Sequence, residues 1–259
     1  MQDLKISLVQ SKLYWNDVAA NLGMFEEKLW DLNGKTDLIV LPEMFTTGFS
    51  MEVEKLAEPM NLTTFKWLKQ MAAQTKAVIT GSYIVKDKGL FFNRLVWMQP
   101  DGNFYTYDKR HLFRMGDEHL HYTAGTQKLI CELKGWKIAP FICYDLRFPV
   151  WSRNLNANPY DLMLYVANWP EKRALHWNTL LQARAIENFA YVAGVNRVGK
   201  DGKQVNYSGD TSLYDPKGEC IYHLRDSEAV QTLVLSAEHL QQYRKMFPAY
   251  LDADEFEIR

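Results

Sequence analysis

Cysteine is scarce in this chain of 259 residues: Cys131, Cys143 and Cys220 are all it has. The number is odd and no pair is spaced C-x-x-C, so neither a disulfide framework nor a structural zinc knuckle is expected. Long apolar runs are missing as well. Nowhere do eighteen consecutive apolar residues occur, which leaves no candidate for a membrane-spanning helix. An excess of either charge is lacking: 30 Lys and Arg stand against 31 Asp and Glu. No polybasic face for nucleic acid follows from such a balance, and a small uncharged or weakly charged ligand is the expected partner. The opening MQDLKISLVQ carries acid and base near its start and lacks the features of a signal peptide, so a reducing cytoplasm is the expected setting. Neither G-x-G-x-x-G nor a P-loop occurs, which sets aside a nucleotide-binding α/β protein. His111, His119 and His121 lie close together, but without H-E-x-x-H or a cysteine pair beside them no metal is expected, and no cofactor.

Nearly half of the residues, 47%, are apolar and 24% are charged, the balance of an ordinary globular protein with a sizeable core. Short apolar runs alternate with helically periodic ones. Strands are expected at Leu4 to Gln10, Asp37 to Leu41, Ala77 to Val85, Leu90 to Met98 and Asn103 to Asp108. A hairpin of Lys128 to Leu133 and Lys137 to Ile142 leads to Cys143, and further strands fall at Tyr160 to Asn168, Phe189 to Asn196, Ser208 to Tyr214 and Val230 to Leu235. Helices are expected after Asn16 or Asp17, from Thr63 or Thr64 to about Thr75, from Arg173 to Asn188, and from Ala237 to about Met246. The stretch from Lys109 to Gly125, polar and aromatic without period, reads as a long functional loop. Helices interleaved with buried strands argue for an α/β layered fold with mixed sheets. With no repeat, low-complexity segment or linker-like break, one domain over residues 1–259 is the simplest organisation.

Three reactive residues share a setting. Glu43 follows a buried strand in LIVLPEMF, Lys109 follows one in YTYDKRH, and Cys143 follows one in IAPFICYDLRFP. Strand ends in α/β sheets open onto a common crevice, so these distant residues can converge. Taken singly each has an ordinary explanation: a cysteine packed in the core, and a glutamate and a lysine solvated in loops. Together they resemble the nitrilase superfamily, the carbon–nitrogen hydrolases, in which a Glu-Lys-Cys triad stands at strand ends in this order. LPEMF, YDKRHLF and CYDLRFP carry the resemblance, with Gln10, Asn168-Trp169-Pro170 and Arg184-Ala-Ile-Glu-Asn188 as further matches across nearly the whole chain.

The resemblance implies a four-layer α-β-β-α sandwich with two mixed sheets, commonly paired with a second copy through helices as a homodimer or higher homo-oligomer. It implies Cys143 as nucleophile, Glu43 as general base and Lys109 as cationic stabiliser, with no cofactor or metal. Glu118, in a Glu-x-x-x-aromatic-x-x-Gly context with Tyr122 and Gly125, matches the family's second glutamate beside the lysine; otherwise it is a solvated acid. Hydrolysis of an amide by a thiolate proceeds through a thioester. The Lys109 ammonium is expected to lower the Cys143 pKa, and with the backbone N–H of Tyr144 to stabilise the oxyanion.

Tyr144-Asp145 after the cysteine is the pattern of amidase branches rather than true nitrilases, which tend to carry Trp-Glu there. The runs CYDLRFPVWSRN, YVANWP and RAIENFAYVAGVNRVG are similar to bacterial omega-amidases, which hydrolyse the terminal amide of 2-oxoglutaramate or 2-oxosuccinamate. A carboxylate remote from the amide calls for a cation, and Arg173 is the first candidate. Arg147 is expected instead to anchor its turn through ion pairs. His176 either lines the pocket or packs beside it through a hydrogen bond, and Phe45, Phe49, Trp169 and Trp177 are expected as apolar walls. Cys131 and Cys220 read as structural. Another amidase or an N-carbamoyl hydrolase of the same superfamily is the competing expectation, and a non-catalytic binding or assembly protein is the alternative of a different class.

Overall fold

The computed structural model describes residues 1–258. Among them are two seven-stranded mixed sheets packed face to face. The first runs in the order Ala229–Leu235, Leu4–Gln10, Leu38–Val40, Val78–Asp87, Leu90–Met98 and Phe104–Asp108, with Glu58–Pro59 beside the fourth. The second runs Val198–Lys200, Asn206–Tyr214, Tyr191–Asn196, Leu162–Ala167, Trp136–Ile142 and Cys131–Leu133, with Cys220–Arg225 beside the second. At the centre of each sheet three strands are parallel, so their carboxyl ends point the same way. Antiparallel strands flank them.

Alternation explains the layering. Leu38 and Val40 pack with Ile6 and Leu8 toward the second sheet, in one core with Trp136, Ile138 and Ile142. Ile39 and Leu41 point the other way, into Phe25, Leu68 and Met71 of the helices Val18–Leu29 and Thr63–Thr75. A strand covered on both faces has no polar side to alternate with, hence the unbroken apolar run LIVL. On the outer face of the second sheet lies the helix Ala174–Asn188. There Gly194 is required: a β-carbon at that position would strike Leu181 and Trp177, so only glycine lets the helix sit this close to its strand. Together the four layers form the expected α-β-β-α sandwich.

Caps and ends refine the expectations. Asp17, not Asn16, caps its helix by accepting the Ala20 N–H at 3.0 Å. The helix at Thr63 is capped by the Glu58 carboxylate, which accepts the Thr64 N–H at 2.9 Å. The strand expected from Phe189 begins at Tyr191, because Phe189 closes the preceding helix in a left-handed conformation. The expected loop from Lys109 to Gly125 contains helical turns at Arg114–Gly116 and Glu118–His121, each too short to show a period. Strands at Val198–Lys200 and Cys220–Arg225 were not foreseen, and Cys220 is exposed at the latter rather than packed.

Candidate active site

Glu43 leaves the first sheet where its strand ends. Met44 takes a left-handed conformation, with φ of 42°, and its N–H bonds the Ser82 hydroxyl at 2.9 Å, so the chain turns sharply and leaves Glu43 over the strand ends. The carboxylate is fully buried and accepts three hydrogen bonds. Oε1 takes Asn93 Nδ2 and Lys109 Nζ, both at 2.8 Å, while Oε2 takes the Asn168 backbone N–H at 2.8 Å. Asn168 also donates its side-chain amide to the Glu43 carbonyl at 2.6 Å. Two sheets are thereby tied to one carboxylate.

Lys109 is equally buried. Its ammonium reaches Glu43 at 2.8 Å and Glu118 at 2.9 and 3.0 Å, and it stands 5.2 Å from the centre of the Phe49 ring. Glu118 is fixed in turn by the Phe113 N–H at 2.6 Å and by Asn93 at 3.2 Å. Gly125 packs on the Asp108 carbonyl where a β-carbon would collide, and donates its N–H to the Lys109 carbonyl at 2.9 Å. Burial opposes the charge on Lys109, but Glu118 and Glu43 outweigh it and its pKa is raised. Burial raises the pKa of Glu118 against the pull of Lys109.

Cys143 ends the strand Trp136–Ile142 in a left-handed conformation, with φ of 45°, at the start of the helical turn Cys143–Arg147. A non-glycine residue there costs about 1–3 kcal/mol and persists only when its surroundings enforce it. Asp145 supplies the enforcement. Its buried carboxylate accepts the Ile142 N–H at 3.0 Å, Tyr107 Oη at 2.7 Å and the His111 N–H at 2.9 Å, with the His111 ring 2.8 Å away. The lysine segment and the cysteine turn are thus locked together. Sγ contacts the Asn168 carbonyl at 3.9 Å, and that asparagine's N–H holds Glu43.

The lowering expected from Lys109 is present but does not decide the Cys143 pKa. Lys109 does pull it down, but burial and the Glu43 charge prevail and hold it well above that of a free thiol. At rest Cys143 is therefore a neutral thiol. The first cause is burial, which disfavours the thiolate, and the Glu43 carboxylate adds to it by repelling a second anion.

Cys143 and Lys109 lie at the floor of a cavity of about 260 Å³, whose aromatic walls are Phe49, Phe113, Trp169 and Tyr207. Tyr144 also lines it. Its backbone N–H belongs to the first turn of a helical segment, where no acceptor exists within the turn, so it is free for a ligand. Trp169 and Arg173 line the cavity as expected. Phe45 does not: it is buried between Phe25 and Trp67 under the helices, because Met44 reverses the chain and leaves Phe49, one turn later, facing the site. Trp177 is core as well, its Nε1 donating to the Asp210 carbonyl at 2.9 Å. His176 is exposed and lies outside the lining, 3.0 Å from the Arg147 guanidinium. Arg147, expected in ion pairs, has none among the described residues; it lines the cavity and stacks over Trp169 at 4.7 Å. Asn93 and Tyr207 were missed, having no motif to flag them, and Phe113, which ends YDKRHLF, was given no role.

Among the described residues no group of three or more His, Cys, Asp and Glu is arranged to hold a metal ion. None of the described helices is long and apolar enough to cross a membrane.

Residues 5–245 match the family described as carbon-nitrogen hydrolase. Over 259 residues, covering all of both chains, the sequence is 50% identical to the omega-amidase YafV of Escherichia coli K12. It is 30% identical over 250 residues to the 2-oxoglutaramate amidase of Bacillus subtilis, covering 95% of this chain and 96% of that one. The fold superposes with a TM-score of 0.98, at 49% identity and full coverage of both chains, on XC1258 of Xanthomonas campestris, a CN-hydrolase superfamily protein solved with an arsenic adduct in its active site. With this family match and these full-length likenesses beside the site just described, the chain belongs to the carbon–nitrogen hydrolase family.

Proposed function

We propose that this protein is a thiol amidohydrolase, an omega-amidase that releases ammonia from the terminal amide of 2-oxoglutaramate or 2-oxosuccinamate. The observation that carries the chemistry is Cys143 at the floor of a cavity beside the buried Glu43–Lys109–Glu118 cluster. The substrate class rests on the 50% identity to an omega-amidase over the whole chain.

Because Cys143 rests as a thiol, Glu43 accepts its proton as Sγ attacks the amide carbon. Moving that proton within the cluster keeps the net charge of the buried site constant, whereas losing it to water would add an anion there. The tetrahedral oxyanion lies between the third N–H of Lys109, the two others being held by Glu43 and Glu118, and the Tyr144 N–H. Each such donor contributes about 3–4 kcal/mol to lowering the barrier. Glu43 then passes its proton to the departing nitrogen, ammonia leaves and a thioester remains. Water, deprotonated by Glu43, attacks the thioester; the Cys143 thiolate leaves and regains its proton from Glu43. Glu118 holds the lysine in place.

The test is ammonia release from 2-oxoglutaramate by the wild type and by Cys143→Ala. Release that the substitution abolishes supports both the triad and the substrate. If the wild type releases none, the substrate is wrong, and a panel of N-carbamoyl amino acids and short aliphatic amides identifies which other carbon–nitrogen hydrolase it is. The three unpaired cysteines suit a reducing cytoplasm, where we place the enzyme, and we expect a homodimer joined through helices, checked by light scattering.

A further inference from the structure

The mouth of the cavity carries positive charge that the catalytic steps do not use. Apart from Lys109, the lining includes Arg147, Lys172, Arg173 and Lys203 against a single carboxylate, Asp201. Asp201 is already engaged, accepting the Lys203 and Val205 N–H groups at 2.8 and 3.0 Å and the Tyr207 hydroxyl at 3.0 Å. Neither arginine is paired with a carboxylate among the described residues. Each lies over an aromatic ring, Arg147 over Trp169 at 4.7 Å and Arg173 over Phe113 at 5.4 Å. Burial and then the nearby Arg173 charge lower the Arg147 pKa, so the two guanidiniums repel each other. Two cations that line one cavity over aromatic walls, with no carboxylate among the described residues paired to either, suit an anionic ligand.

We propose that Arg147 and Arg173 form a two-armed clamp for the substrate's remote carboxylate, and that Arg147 is a specificity-determining residue of the reaction. The inference rests on the omega-amidase reading and sharpens it. Arg147 stands on the same helical turn as Cys143, so the turn that presents the nucleophile also sets the position of one arm. The fork of a guanidinium donates two parallel N–H bonds to a carboxylate, which a lysine cannot reproduce. Stacking on Trp169 and Phe113 fixes the plane of each fork before the ligand arrives. His176, an acceptor at 3.0 Å behind Arg147, is a positioning residue for that arm.

The experiment pairs kinetics with binding. Arg147→Gln raises KM for 2-oxoglutaramate by about 10–100-fold, the range expected when hydrogen bonds to a charged group are lost. The selectivity for 2-oxoglutaramate over an uncharged amide of the same length, as a ratio of kcat/KM, falls by a similar factor. Arg147→Lys gives an intermediate loss, and His176→Ala a smaller rise in KM with kcat retained. In the Cys143→Ala protein, calorimetry shows 2-oxoglutarate binding weakened to the same extent by Arg147→Gln. An unchanged affinity, or an equal loss on charged and uncharged amides, overturns the clamp. If the wild type fails to hydrolyse 2-oxoglutaramate while Arg147-dependent binding of 2-oxoglutarate persists, the substrate is wrong and the clamp stands. Should Arg147→Gln not fold, the Arg147→Lys selectivity ratio decides: a ratio within twofold of wild type overturns the proposal.

Discussion

At the floor of the cavity every charge faces another. Lys109 bridges Glu43 and Glu118, Asn93 and Asn168 donate to the carboxylates, and no part of these ionic side chains reaches solvent. At the mouth the charges face rings and open space. The two regions divide the work of an enzyme accordingly. A closed network of ions bonded to one another holds atoms where a transition state needs them and pays its desolvation within the fold. An unsatisfied one waits for a ligand to complete it. Substitutions at the floor should therefore appear in kcat, those at the mouth in KM.

The sharpest break comes from the nucleophile. Cys143→Ala is expected to reduce kcat by about 10⁴-fold or more while 2-oxoglutarate still binds, measured by ammonia release and calorimetry. Glu43→Gln should follow, with a loss of roughly 10²–10⁴-fold in kcat and little change in KM, since it removes the proton acceptor and keeps the shape. Lys109→Met removes an oxyanion donor, lowering kcat by about 10²–10³-fold, and also leaves two carboxylates facing each other without their cation. Breaking a buried pair in this way costs about 3–5 kcal/mol, so urea denaturation should show the floor residue to be structural as well. Phe45→Ala, from the hydrophobic core and not the wall, should cost about 3–5 kcal/mol of stability and leave KM within twofold.

The smallest expected effect concerns pH. Burial holds the folded Cys143 pKa above that of an unfolded thiol, about 8.5. Above that pH the unfolded chain loses the proton first, so stability falls as pH rises, by up to about 1.4 kcal/mol per pH unit from this one group. Below pH 8 the contribution is fully retained. Cys131, pushed up to about 12 by burial, acts in the same direction. Urea denaturation at pH 8, 9 and 10 should give a shallower decline for Cys143→Ala than for the wild type. An identical slope would mean that the floor thiol is not held neutral.

The same contrast explains what could be read from the sequence. Glu43 and Cys143 stood out because each follows a buried strand of a parallel sheet centre, where strand ends meet by geometry; the strand before Lys109, expected to be buried, is instead an exposed antiparallel edge, and the motif around the lysine is what marks it. Layers and most strands were legible from runs such as LIVL, whose residues are shared between two cores. Asn168 was marked only as part of Asn168-Trp169-Pro170 and Asn93 not at all: the first meets Glu43 only when the two sheets close, and the second meets Glu43 and Glu118 only when the loops after their strands fold over the first sheet. Phe45 and Phe49 have the same composition and opposite fates, decided by the left-handed Met44, which no periodicity reveals. Trp177 was assigned to a wall and is core, because Gly194 lets its helix settle onto the sheet. Arg147 was assigned to ion pairs that the fold does not provide. The mouth is made of loops and turns, where spacing in sequence says least about position in space.

Whether the floor hydrolyses an amide through Cys143 is read from rapid-quench mass spectrometry of the intact enzyme. With 2-oxoglutaramate in excess, the wild type is expected to gain the mass of one substrate less ammonia, located on Cys143 by peptide mapping and absent in Cys143→Ala. Continued release of ammonia by Cys143→Ala at a rate near the wild type's, with no acylated Cys143 in either protein, would contradict it.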